Sequence, residues 1–292
     1  MAGELITRNG QVQWGDLLMG DGTTYRWRAL TGWDDMPGLD SGNVPRASRH
    51  GSWSGRSWAQ ERVVGFQGAL RPESREQYVA MKVALRSATA VPESEVESPL
   101  VVRTHDETLL AFGKPTLRIL PNDLAYGAGV LVPFTIGWVC SDPRRYDVLQ
   151  QNLTVGAPAP GTGLVFPLTF PLSFGTVGSS GTGTATNTGS APTHPVLVIT
   201  GPVVRPLIVN STTGAALEFD ITLVAGEQLV IDTSAGTVLL GGTGSRLYTL
   251  TDIAVPVESF VLARGDNALS LRGLSFPAPG ASLGVTWRSA SW

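Results

Sequence analysis

Apolar and polar residues alternate along much of this chain with the two-residue period of half-buried strands. Thr23–Leu30 alternates through Tyr25 and Trp27, and Phe134, Ile136 and Trp138 repeat the pattern later. The same reading predicts short strands at Gln11–Trp14, Leu17–Met19, Arg62–Leu70, Leu100–Thr104, Leu109–Phe112, Pro115–Leu120 and Val130–Val139. One segment has a helical period instead. Tyr78, Met81, Leu85 and Ala88 form one apolar face, preceded by Pro72, Glu73 and Glu76 and followed by Arg86, which predicts a helix over Pro72–Ser87. Gly32–Gly55 is rich in turn residues and reads as a long loop, of a length usually kept for function or disorder.

Beyond about residue 156 the pattern becomes more uniform. Leu164–Phe174 carries Phe166, Phe170 and Phe174 among prolines, and Gly175–Gly189 is almost entirely Gly, Ser, Thr and Ala, the composition of a flexible linker, although Gly181–Thr188 alternates as a strand does. Short runs follow at Pro195–Thr200, Leu207–Asn210, Leu217–Val224, Gln228–Asp232, Thr237–Leu240, Tyr248–Leu250, Ser259–Leu262, Asn267–Leu271 and Leu283–Arg288. Their spacing of roughly 8–12 residues, with Gly and Asn/Asp turns between, is that of a sandwich or barrel. The expected fold is mainly β. An α+β domain (a sheet plus one long helix) over residues 1–149 is followed by a galectin-like or jelly-roll β-sandwich over 150–292.

Charge supports that division. Residues 1–150 hold 16 Lys+Arg and 17 Asp+Glu, whereas residues 151–292 hold 5 and 7 and no lysine. Six of the eight tryptophans also fall in the first part. The net charge of −3 supplies no basic field for nucleic acid, and pairs such as Arg144-Arg145 read as solvated surface. No run is apolar enough for a membrane span, and the N-terminus lacks a signal-peptide pattern. The single cysteine, Cys140, excludes an intrachain disulfide and reads as a buried thiol.

Catalytic chemistry is weakly signalled. His50, His105 and His194 have no metal-ligand spacing, and neither a nucleophile elbow nor a phosphate loop is present. Carboxylates cluster at Asp34-Asp35, at Glu93, Glu95 and Glu97, and at Asp106-Glu107, as chance allows in a chain of this size. The expectation is a non-enzyme with no cofactor and no metal. A carbohydrate-binding or host-adhesion module is the alternative, with Phe219, Tyr248, Phe260, Phe276 and Trp287 as the aromatics a sugar site would need.

Several motifs resemble a known family. Asp35-Met36-Pro37-Gly38-Leu39, then His50-Gly51 and Gly55, is similar to the N-terminal region of siphophage distal tail proteins from phages of actinobacteria. Arg62–Gly68 and Asp142-Pro143-Arg144-Arg145-Tyr146 continue the likeness, and so do Asn187-Thr188-Gly189, Ala191–Pro195, Ile199–Pro202 and Ala225–Asp232. Arg264-Gly265-Asp266-Asn267 resembles the family's Pro-Gly-x-Asn turn, with Arg264 in place of proline. The resemblance implies a structural virion protein of the tail tip, made in the host cytoplasm. The first domain would form a homohexameric ring that joins the tail tube protein to the tail-associated hub or lysin protein. The tape measure and receptor-binding proteins are further implied partners. A ring needs interface residues, and Trp and Arg are enriched at interface cores. The Gly32–Gly55 loop with Trp33, Arg46, Arg49 and Trp53, together with Trp58, is therefore the candidate subunit contact.

Overall fold

The computed structural model describes residues 2–91, 93–121, 131–159, 178–276 and 279–292. The Leu164–Phe174 run lies outside them. The chain separates into one compact unit of Met1–Val148 with Trp292 and a second of Leu149–Ser291.

The first unit is built on antiparallel strands β1 (Gln11–Trp14), β2 (Leu17–Gly20), β3 (Tyr25–Thr31), β4 (Leu39–Ser41), β5 (Val44–Pro45), β6 (Ser52–Trp53), β7 (Ser57–Ala59) and β8 (Arg62–Leu70). After helix α1 (Arg75–Ala88) come β9 (Ser98–Thr104), β10 (Glu107–Ile119), β11 (Val132–Cys140) and β12 (Arg145–Asp147). The sheet runs β2-β1-β9-β10-β11-β8-β3, with β12 beside β10. Strand β10 belongs to both halves: Glu107–Gly113 pairs with β9, and Lys114–Ile119 pairs with β11. A register shift between Pro115 and Leu117 lets the strand absorb its proline and bend. The two strands predicted at Leu109–Phe112 and Pro115–Leu120 are thus one continuous strand.

Alternation along β8 and β11 turns Val64, Phe66, Phe134, Ile136 and Trp138 into the core. Aromatic rings fill it, with Trp14 and Trp138 centroids 5.8 Å apart and Tyr25 edge-on to Phe134 at 6.2 Å. Tyr78, Met81 and Leu85 of α1 close the core. The helix begins later than Pro72 because Ser74 is its N-cap, the Ser74 hydroxyl accepting from the Gln77 N–H at 3.1 Å. Its carbonyls are held from the sheet: Trp14 Nε1 donates to Ala88 O and Tyr25 Oη to Met81 O. Arg118 Nη1 caps the C-terminal end through Arg86 O and Thr89 O.

The second unit is a two-sheet antiparallel sandwich. Its strands are β13 (Gln151–Gly156), β14 (Thr182–Asn187), β15 (Val196–Thr200), β16 (Val203–Val204), β17 (Leu207–Asn210), β18 (Ala215–Glu218), β19 (Thr222–Leu223), β20 (Gln228–Asp232), β21 (Thr237–Leu240), β22 (Gly244–Ser245), β23 (Gly265–Arg272) and β24 (Ser282–Trp287). One sheet runs β13-β24-β15-β20-β21-β22, the other β14-β23-β17-β18, and β16 pairs with β19 alone. Leu197, Ile199, Leu229, Ile231 and Val285 face Ile208, Leu217, Leu269 and Leu271 across a shared core, as two stacked sheets require. Two runs read as strands take another form. Tyr248–Leu250 falls on the 3-10 turn Leu247–Thr249, and Ser259–Leu262 begins at the end of the 3-10 turn Val257–Ser259 and keeps an isolated bridge at Leu262.

Candidate interface site

The chain between β3 and β8 is an ordered arm, not an irregular loop. β4 pairs with β7 and β5 with β6, so Leu39–Ala59 folds into a two-part hairpin. Local polar chemistry holds it: Asn43 Oδ1 accepts from Gly55 N at 2.8 Å, and Arg46 N donates to Gly51 O at 3.2 Å. Gly55 is required where the two strands cross, since a Cβ there would lie 2.0 Å from Gly42 O.

Arg62 fixes the arm's root. This fully buried side chain brings Nη1 within 2.8–2.9 Å of the Gly32, Trp33 and Asp35 carbonyls, while Nε donates to Pro143 O at 2.7 Å. Burial holds its pKa below the ordinary arginine value, and the nearby Arg145 lowers it further. Arg145 donates to Asp34 at 2.6 Å and stacks over Trp33. Arg144 is paired with Asp142 at 2.8 Å, and Tyr146 donates to the same carboxylate. Burial pushes the Asp142 carboxyl up, but the bonds from Arg144 and Tyr146 outweigh it and leave its pKa below the usual range. The Arg144-Arg145 pair is therefore a largely buried clamp, not solvated surface. Arg145's partner Asp34 is 111 positions away, so adjacent sequence carried no sign of it.

The five candidate contact residues divide in two. Trp33 is 2% exposed and belongs to the core, so it faces away from any partner. Trp53 and Trp58, at 65% and 58% exposure, lie on the arm. Arg46 stacks 4.5 Å over Trp53 and Arg56 stacks 4.1 Å over Trp58. Arg49 is exposed near the tip and makes no ion pair among the described residues. Sequence reading missed Arg62 and Arg56. A lone arginine opening an apolar strand was the available signal for the first.

The other carboxylates singled out in the sequence lie apart from the arm or bond locally. Among the described residues no three His, Cys, Asp or Glu side chains cluster as a metal site would. Asp35 accepts from Gly32 N, Asp106 from Asn9, and Glu97 from Ser141. A depression of about 350 Å³ beside Trp14, Leu17 and Ala84 offers Asp16 as its sole titratable group. Phe219, Phe260 and Trp287 are core residues of the sandwich, and Phe276 packs against that core, while Tyr248 is exposed. No helix is long and apolar enough to cross a membrane among the described residues.

Cys140 is buried, and desolvation pushes its thiol up to about 12, with Glu97 adding to the rise. The thiol therefore stays protonated at pH 8. A disulfide-exchange reagent at that pH is expected to leave the native chain unmodified and to label its one cysteine after denaturation. Rapid native labelling would show that the strand end opens.

Residues 188–288 match the model of the siphovirus-type tail component, C-terminal domain. Over those residues the second domain is similar to that family. Comparison of the whole fold extends the likeness to the first domain. The crystal structure of SPP1 Dit (gp 19.1), described as a paradigm of the hub adsorption apparatus in phages infecting Gram-positive bacteria, aligns with a TM-score of 0.62 at 11% identity. That alignment covers 93% of this chain and 97% of the other. A chain of the phage P2 baseplate in its activated conformation with Ca aligns at a TM-score of 0.50 and 13% identity, over 94% of this chain and 97% of that one. No curated protein sequence matches the chain. The fold is thus Dit-like over most of the chain, mainly β with one α-helix among the described residues.

Proposed function

We propose that this tail component assembles into a homohexameric ring at the distal end of a phage tail tube and joins the tube to the tail-tip hub or baseplate. Its role is structural and not catalytic, and it needs no cofactor. It is made in the host cytoplasm and ends in the virion. Its partners are further copies of itself, the tail tube protein and the hub or lysin protein, with the tape measure and receptor-binding proteins as further neighbours. Trp53, Trp58, Arg46 and Arg49 make the subunit contact, while Trp33 supports the arm from inside.

The observation that carries this reading is the arm. Two large aromatic side chains stand exposed on an ordered, tightly bonded ribbon. Exposed aromatic-cation pairs on a rigid element are what interface cores are made from. The likeness to SPP1 Dit over most of both chains supports the tail-tip setting. Light scattering after size exclusion and negative-stain microscopy test it: the expected particle is a six-membered ring of 30.8 kDa chains. Single chains at micromolar concentration, with no rings on the grid, would overturn the reading.

A further inference from the structure

A closed ring of identical chains joins two different patches on each copy, so an arm that donates needs a surface that receives. We propose that the arm docks on residues 93–97 of the neighbouring copy, with Arg46, Arg49 and Arg56 set against Glu93 and Glu95 and the arm tryptophans set against Val96. This rests on the ring reading above and names the receiving surface.

Charge is the first argument. Residues 42–56 carry Arg46, Arg49 and Arg56 and no Asp or Glu. Residues 93–97 carry three glutamates, and no Lys or Arg occurs between Arg86 and Arg103. Within the acidic group Glu97 is engaged by Ser141 of its own chain, which leaves Glu93 and Glu95 for the arginines. No ion pair to Arg46, Arg49, Arg56, Glu93 or Glu95 exists among the described residues. Apolar exposure is the second argument. Val96 is 75% exposed between the glutamates, a match in kind for Trp53 and Trp58. Complementary charge of this sort steers register and suppresses wrong pairings, while the aromatic burial supplies the affinity.

Register supplies the third argument. Arg62 pairs with Cys140, Val139 with Lys114, and Gly113 with Ser98. The arm's root and the acidic segment are therefore fixed at the same end of the sheet, on either side of the turn after Cys140, where Glu97 accepts from Ser141 at 2.5 Å. The register fixes the root of the arm, and a contact made at one level closes by rotation without a climb. A head-to-tail contact that climbs makes a filament; one that does not makes a ring.

Charge swapping tests the pairing. The triple variant Arg46→Glu, Arg49→Glu, Arg56→Glu and the double variant Glu93→Lys, Glu95→Lys are each expected to elute as single chains with unchanged circular dichroism. The two sets combined are expected to restore the ring. In a second arm of the experiment, Ser52→Cys with Ser94→Cys should give a ladder of chain-to-chain disulfides under mild oxidation, Cys140 being buried. Rings that form normally in the glutamate variant, or with no ladder, would overturn the docking proposal and leave the ring standing. So would a disulfide closing within one chain. A wild-type chain that never forms rings would overturn both.

Discussion

Replacing Arg62 by alanine is expected to lower the melting temperature of the first domain by about 10–15 °C, the effect of about 3–5 kcal/mol on a domain of this size. The guanidinium serves four carbonyls, those of Gly32, Trp33, Asp35 and Pro143, at 2.7–2.9 Å. Three of these share the two hydrogens of one nitrogen. Alanine leaves all four without their donor, inside a site from which water is largely excluded, and opens a cavity as well. Lysine is expected to recover less than half of the loss, because an ammonium point charge cannot reproduce a planar fork aimed at both sides. Since Arg62 ties the arm's root to the turn after Cys140, the same variant should lose its rings at temperatures where the domain remains folded. Calorimetry and light scattering on one preparation measure both effects. A drop of under 3 °C, with rings intact, would show that the arm is anchored by its own hairpin and not by this residue.

Arg62 also marks where sequence reading reached its limit. The helical face of Tyr78, Met81 and Leu85 was legible, because burial against a sheet imposes a 3.6-residue period on consecutive positions. Strands β17, β20 and β21 were legible for the same kind of reason, each alternating between a core face and an outer face. The arm was not. Its strands are two or three residues long and bury no side of themselves, so no period-two pattern exists to read. Its order comes from Asn43 and the close approach at Gly55, which in sequence look like any loop. Tyr248 misleads in the opposite direction: it is strand-like in type but largely exposed on a 3-10 turn. Partners distant in sequence escaped altogether. Arg145 looks solvated until Asp34 and Trp33 are brought beside it. The exposed tryptophans and arginines of the candidate contact were legible as residue types, whereas which of them point outward was a property of the fold.

The Arg264-Gly265-Asp266-Asn267 turn leads to the second large effect, in the sandwich. Asn267 is fully buried at the start of β23, between β14 and β17. Its Nδ2 donates to the carbonyls of Ala263, Gly265 and Ala185, and its Oδ1 accepts from Ala263 N and from Asn210 Nδ2. One side chain therefore ties the turn to the sheet and to a second buried asparagine. Side-chain bonds thus hold the shape of a turn that opens on Arg264. Asn267→Ala is expected to cost about 3 kcal/mol, since several buried backbone groups lose their partner at once. The matching fall in melting temperature is about 10 °C. Asn267→Asp sharpens the test. It keeps the shape and the bond from Ala263 N, but turns a donor toward three carbonyls into an acceptor bearing charge. Burial and the facing carbonyls would raise its folded-state pKa above the unfolded value. Folding then takes up a proton, so the aspartate variant should be least stable at neutral pH. It should regain stability as the pH falls through the raised pKa, relative to Asn267→Ala over the same range. Melting curves of both variants at several pH values decide the matter. Parallel pH dependence would mean that water reaches the side chain, and that the joint between turn and sheet lies in the backbone ladder instead.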